Sequence, residues 1–144
     1  MTNSRLTDPE VLELQYPVLV EEFRIRHGSA GLGQWNGGEG AIRRIRFRQP
    51  MTVTILANHR IIPPFGLNGG SPGAVGRTFI VRANGQIEHL ASCDQADVRS
   101  GDAVVVETPG GGGWGVSASA SASVSESGSV SVSVGGPAVT TCPP

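Results

Sequence analysis

Four consecutive glycines, Gly110–Gly113, followed by Trp114 and Gly115, constrain this chain more than any other stretch. An ordinary helix or strand interior tolerates such a run poorly, because each glycine loses more backbone freedom on ordering than any other residue. What the run does permit is a tight reversal or the close approach of something to its backbone. It is delivered by Ala103–Val106, four small and β-branched apolar residues behind Gly101-Asp102, which read as a buried strand entered through a tight turn. Upstream of the run the chain reads as a β-rich module. Downstream it changes character: every odd position from 117 to 133 is serine, with alanine, valine, a glycine and Glu126 between. Strict period 2 is compatible with a strand. The fillers bury too little area for a core, so disorder is the expectation, with Val130–Val134 a secondary risk of β-type self-association.

Taken in order, Thr7-Asp8-Pro9-Glu10 is a helix start, with Thr7 as cap, Glu10 completing a capping box and Pro9 in the first turn. The spacing predicts a short helix to about Tyr16, ended by Pro17, with Val11 and Leu14 facing the core. Val18–Arg26 alternates, placing Leu19, Phe23 and Ile25 on one face and Glu22, Arg24 and Arg26 on the other, as a half-buried strand does. Residues 28–40 form a glycine-rich loop anchored by Trp35. Ala41–Arg48 alternates again, with Arg43, Ile45 and Phe47 on one face and Arg44, Arg46 and Arg48 on the other. Gln49-Pro50 then turns it into Met51–Ala57, a candidate hairpin. Residues 63–70 are an irregular loop stiffened by prolines. Arg77–Arg82 and Gln86–Leu90 read as a hairpin about Asn84-Gly85. Cys93–Val98 is ambiguous. The fold class is mainly β: one β-rich module, sandwich- or barrel-like, over residues 1–115, with one short N-terminal helix and a Ser-rich low-complexity tail over 116–144.

Several chemistries are excluded. The formal net charge is −1, so no bulk field points to nucleic acid or an acidic membrane. All eleven basic residues are arginine, which removes any Schiff-base or P-loop lysine. Cys93 and Cys142 form neither a zinc set nor a disulfide framework. His27, His59 and His89 stand about thirty residues apart with no metal-ligand spacing, so no metal site is expected. No apolar run approaches a bilayer span, and the start lacks a signal core, so a soluble cytoplasmic protein is the expectation. Gly110-x-Gly112-x-x-Gly115 matches the dinucleotide fingerprint in letters, but VSASAS follows where a helix must begin. A structural turn is the leading reading of the run, and a nest of N–H groups for an anion is the alternative. The arginine stripe could clamp anions, although a solvated face paired with Glu22-type neighbours is the simpler account.

MTNSRLTDPEVLE, YPVLVEEFRIR, GSAGLGQWNGGEG, PMTVTIL, PPFGLNGG-SPG and ETPGGGGWG, in this order, resemble the C-terminal part of the hydantoinase B / 5-oxoprolinase family. The resemblance covers roughly residues 1–115. It implies ATP-dependent hydrolysis of cyclic amides such as 5-oxoproline or hydantoins. ATP would be handled by a hydantoinase A-type partner protein or domain, with no cofactor in this chain. It further implies a second partner, the large N-terminal part of the B-type polypeptide, whose absence reads as a truncated or split reading frame. On this reading the chain alone is an inactive fragment. A non-catalytic assembly module or a gene remnant is the alternative. Candidate substrate- or partner-surface residues are Asn3, Arg5, Arg24, Glu39, Gly110, Gly111, Gly112 and Gly113. Catalytic residues are not assignable from the sequence.

Overall fold

A computed structural model describes residues 6–117; the Ser-rich stretch and the Asn3-Arg5 pair lie outside the described residues. The order is one helix, α1 (Pro9–Gln15), and seven strands: β1 (Val18–Arg26), β2 (Gly40–Phe47), β3 (Met51–Leu56), β4 (Arg77–Val81), β5 (Ile87–Leu90), β6 (Cys93–Val98) and β7 (Ala103–Glu107). Five strands form one antiparallel sheet in the order β1-β2-β7-β4-β5, and β3 pairs with β6 in a second. The mainly β expectation holds.

The two sheets pack face to face. Val18, Phe47, Ile80, Leu90 and Val104 of the large sheet meet Ala96 and Val98 of the small one, with Met51, Val53 and Ile55 partly buried alongside. Ile80 is fully buried, a contribution of about 1.5–3 kcal/mol from apolar transfer alone. Ala103–Val105 is buried, as consecutive apolar residues in a central strand require.

Four local expectations are corrected. Asp8, not Thr7, caps α1, its carboxylate accepting the Glu10 N–H at 2.9 Å, with Pro9 opening the helix. Capping one residue later leaves Pro9 at the first helical position, which needs no donor. Val11 and Leu14 are exposed, and Leu12 packs on the core instead. Glu13 accepts the Val20 N–H at 2.8 Å, tying the helix to β1 with Leu12 against the core. The 41–48/51–57 hairpin does not form. Both edges of β2 are taken, by β1 and β7, and the Phe47 N–H donates to Asp102 O at 2.8 Å, so the chain leaves the sheet and β3 pairs with β6. Alternation fixes a strand's faces but not its neighbours. Finally, Leu19 does not share a face with Phe23 and Ile25. Glu21 is an extra residue between the pairs Val20↔Ile45 and Glu22↔Arg44. Such a bulge resets the alternation. Val18 and Val20 therefore point to the core before it, and Phe23 and Ile25 continue that face after it, beyond the reach of the second sheet.

The bulge also aims Glu21 at the arginine stripe. Its carboxylate accepts from Arg44 Nε at 2.7 Å and from Arg46 Nε. The Arg46 guanidinium first, then Arg44, holds the Glu21 carboxyl below the usual range against the opposing effect of burial. Arg44 and Arg46 of the stripe are thus paired within the sheet by Glu21 rather than by Glu22. These side chains are a quarter to a third exposed, so the fork is worth little. Glu21→Ala is expected to lower stability by about 0.5–1 kcal/mol, less in high salt, as read by urea unfolding at two ionic strengths.

The Asn84-Gly85 turn forms as expected between β4 and β5, with Gly85 at φ 85° and its N–H donating to Arg82 O at 2.8 Å. Cys93–Val98, ambiguous in sequence, is β6.

Candidate functional site

The glycine run lies close against the backbone of other segments. It is the central thread of a lobe made from three segments: 29–40, 64–74 and 108–116. The Gly31 N–H donates to Gly111 O (2.8 Å), Leu67 N–H to Gly113 O (2.9 Å) and Ser71 N–H to Leu32 O (2.7 Å). In return, Gly110 N–H donates to Ala74 O, Gly111 N–H to Gly38 O and Gly113 N–H to Ser71 O. Trp114 and Trp35 exchange N–H···O bonds at 2.8 and 2.9 Å. Backbone lies against backbone with no side chains between. A Cβ at Gly110 would sit under 3.0 Å from the Ser29 carbonyl, and one at Gly112 or Gly113 equally close to the Phe65 or Leu32 carbonyl. The second glycine-rich loop obeys the same geometry, since a Cβ at Gly37 would strike the Gly111 carbonyl. The need is for close approach rather than for positive φ. The amide hydrogens named above are spent on carbonyls, so the run does not fit the phosphates of a nucleotide.

Side chains tie this lobe to the sandwich. Arg26, at the end of β1, is 9% exposed and donates to Val75 O at 2.8 Å and Thr108 O at 3.0 Å. It pairs with Glu107 at 3.2 Å, and Glu107 also meets Arg77 at 3.3 Å. Ser29 Oγ donates to Arg26 O and accepts the Gly40 N–H. Thr108 Oγ1 accepts the Ala41 N–H at 2.7 Å. One buried cation thereby joins three remote stretches at the root of the glycine run. Sequence reasoning passed over Arg26, Ser29, Glu107 and Thr108. The available signal was their position, immediately flanking the glycine loops.

Of the candidates proposed from sequence, Gly110 and Gly113 are buried within the lobe, and Gly111 and Gly112 are half-buried. Glu39 closes a loop: it accepts the Gly28 N–H at 2.8 Å and meets His27 Nδ1 at 2.9 Å. The Gly28 N–H, then His27, holds the Glu39 carboxyl below its ordinary range. Arg24 is exposed on the sheet and pairs with Glu22, two residues before it. The structure does not gather Arg24 and Glu39 into one site. Among the described residues no three His, Cys, Asp or Glu side chains converge as a metal-holding group, and no helix is long and apolar enough to cross a membrane.

What the lobe presents outward is apolar. Trp114 is bridged by backbone to Trp35 on one side and to Leu67 on the other, and residues opposed in this way project on the same side. Trp35 is 67% exposed, Leu67 54% and Trp114 45%. Leu32, Phe65 and Val116, from the same three segments, are exposed as well. Scattered exposed apolar residues are normal, but two tryptophans beside a leucine form a patch of the kind that marks an interaction surface.

The Hydantoinase B/oxoprolinase family profile matches residues 1–117. The chain is 40% identical over 111 residues to a 5-oxoprolinase of Dictyostelium discoideum and 42% identical over 111 residues to 5-oxoprolinase 1 of Arabidopsis thaliana. Each match covers 77% of this chain and 9% of the relative, so the chain spans about a tenth of the length of these relatives. Among solved structures, the ATP-dependent caprolactamase of Pseudomonas jessenii matches with a TM-score of 0.63 at 20% identity, over 76% of this chain and 20% of that one. That likeness extends to the fold. With the profile match covering the sandwich and the glycine-threaded lobe together, this chain belongs to the Hydantoinase B/oxoprolinase family.

Proposed function

We propose that this chain is a docking and wall-forming module of an ATP-dependent cyclic amide hydrolase, a 5-oxoprolinase or hydantoinase. On this reading it acts in the cytoplasm, against the remainder of a B-type polypeptide and a hydantoinase A-type, ATP-handling partner. The chemistry would be activation of a ring amide by phosphorylation of its oxygen, followed by hydrolysis. The module's part would be to complete the surface on which that occurs. The observation carrying this reading is the exposed Trp35–Trp114–Leu67 face on a lobe whose backbone is too closely threaded to flex. A rigid scaffold with an apolar face loses little entropy on association. Family membership and the span of about a tenth of its relatives support the same conclusion.

The test supplies the counterpart. A 5-oxoprolinase from which the matching segment has been deleted is mixed with this chain, and ATP-dependent opening of 5-oxoproline is measured with tryptophan fluorescence. The chain alone is expected to show no turnover. Mixing is expected to shift tryptophan emission to the blue and restore activity, and Trp35→Glu to abolish both while leaving the stability measured by urea unfolding within about 0.5 kcal/mol. Turnover by the isolated chain, or a mixture in which neither emission nor activity changes, overturns the proposal.

A further inference from the structure

Among the described residues, Arg60 is a cation without an anion. It stands in the loop after β3, with its guanidinium folded back against Gly76, where any Cβ would strike it. Its Nη1 donates to Asn58 O and its Nη2 to Thr78 Oγ1, both at 3.2 Å, the long end of such bonds. Its Nε is buried with no hydrogen-bond partner. Glu107, whose backbone carbonyl lies beside the same Gly76, has its carboxylate engaged by Arg26 and Arg77. Burial, and then the charge of Arg26, push the Arg60 pKa below its ordinary value. An unpaired donor on a half-buried charge is costly and calls for an explanation.

Beside it lies an open cavity of about 400 Å³, lined by Ala57, Asn58, His59, Ile61, Ile62 and Ser92 together with Arg60. That volume lies within the range of small-molecule sites. Its polar lining is Asn58, His59, Ser92 and Arg60, with no carboxylate. Its remaining wall is aliphatic, and Ile61 and Ile62 are 85% and 74% exposed. His59 turns the loop in the left-handed region at φ 55°, a conformation uncommon for a non-glycine residue, with Nδ1 at 3.0 Å from Ile62 O. Such local strain is found where a loop is shaped for binding.

We propose that this cavity binds a carboxylate carrying an apolar body, with the Arg60 guanidinium turning from its long contacts to take the carboxylate through Nε and one Nη. A planar fork of donors beside an aliphatic wall matches a carboxylate with an apolar body, whereas inorganic phosphate would leave the Ile61–Ile62 wall without a partner. The carboxylate could belong to a free organic acid or to a Glu or Asp side chain of a bound polypeptide.

The probes are isovalerate, its uncharged amide isovaleramide, inorganic phosphate and the capped peptide acetyl-Leu-Glu-Leu-amide, each titrated into the ¹⁵N-labelled chain. Isovalerate is expected to shift the amide signals of 57–62 and Ser92 saturably, with Kd near about 1 mM, and isovaleramide is expected to bind about tenfold or more weakly. A peptide tighter than isovalerate assigns the site to a polypeptide carboxylate, and the reverse order assigns it to a free acid; both support the proposal. Arg60→Gln is expected to abolish the shifts. Because that change also removes the Thr78 contact, Ile62→Asp serves as a second variant. At an exposed position it is expected to place a tethered carboxylate beside Arg60, raise the melting temperature and weaken isovalerate about tenfold. Equal binding of amide and acid, tighter binding of phosphate, or no saturable shift with either carboxylate probe overturns the proposal.

Discussion

Gly112→Ala is expected to cost about 3 kcal/mol or more, with a fall in Tm of roughly 10–20 °C. Gly111→Ala, one residue away, is expected to cost under about 1 kcal/mol. The contrast follows from what each new methyl would meet. At Gly112 it would sit under 3.0 Å from the Phe65 carbonyl, with the Gly66 amide nitrogen behind it, and neither can move without breaking the threaded backbone. At Gly111 the nearest atom is the Gly38 nitrogen at 3.1 Å, a contact that a shift of a few tenths of an ångström relieves. The loop facing this run behaves in parallel. Gly37→Ala is expected to be as damaging as Gly112→Ala. Gly38→Ala, with open space around it and no positive φ, should be neutral or stabilise by about 0.4–1 kcal/mol through the unfolded chain. Urea unfolding of the four variants checks the pattern. A uniform penalty across all four would mean that flexibility, not close approach, is what these glycines supply.

The second large effect is expected at Asp102, which precedes β7. It is 3% exposed. Its carboxylate accepts the Ala83 N–H at 2.8 Å, the Arg99 N–H at 2.9 Å and Arg82 Nη1 at 3.0 Å. It therefore locks the β4–β5 turn to the β6–β7 turn. Asp102→Ala would leave the Ala83 and Arg99 amides, both in part-buried bonds, and one face of Arg82 without their acceptor, at a cost of about 2–3 kcal/mol. Arg82 retains Glu88, which favours the lower part of that range. The pH dependence has a definite sign. Burial alone would raise the Asp102 pKa, but the Arg99 and Ala83 amides and the Arg82 guanidinium outweigh it, and the carboxyl is held below its ordinary value. A carboxyl with a lower pKa in the folded than in the unfolded chain stabilises fully above the unfolded value, about pH 4, and loses that contribution as pH falls through the folded value. Glu21, Glu39 and Asp94 are shifted the same way, so acid destabilisation is shared. Asp102→Asn should make the decline in stability below about pH 4 shallower. Parallel curves for the two proteins would count against this role.

Much of the fold was legible because alternation and turn chemistry are local. Arg43, Ile45 and Phe47 share a face as the period requires, and Asn84-Gly85 turns β4 into β5. What was not legible depends on remote partners. The bulge at Glu21 leaves no mark in VLVEEFRIR, because the extra residue is defined only by its pairing with β2. Strand β3 alternates properly, yet nothing in 41–57 says that β7 will occupy the edge beside β2. The candidate site fared similarly. Glycine richness identified Gly110–Gly113 as important, but composition does not show that Gly110, Gly112 and Gly113 receive the backbone of Ser29, Phe65 and Leu32. Arg26 read as one arginine of an exposed face. Its burial follows from Val75 and Thr108, forty-nine and eighty-two residues away.

The interleaving of 29–40, 64–74 and 108–116 has a consequence for biosynthesis. The thread around which the other two segments close is the last of the three to leave the ribosome. Until it arrives, the earlier loops have backbone groups with no mates, and Trp35 has no Trp114 beside it. Domains generally fold as units during synthesis, and distant contacts carry a loop-closure cost that slows them. The β1–β2 and β4–β5 pairs can form early, but β7 stands between them in the large sheet, so sheet and lobe alike wait for the last segment. The lobe's maturation is set by the emergence of residues 108–116 from the ribosome, so stalling before that point would present nascent chains with an unclosed apolar rim to the chaperone machinery.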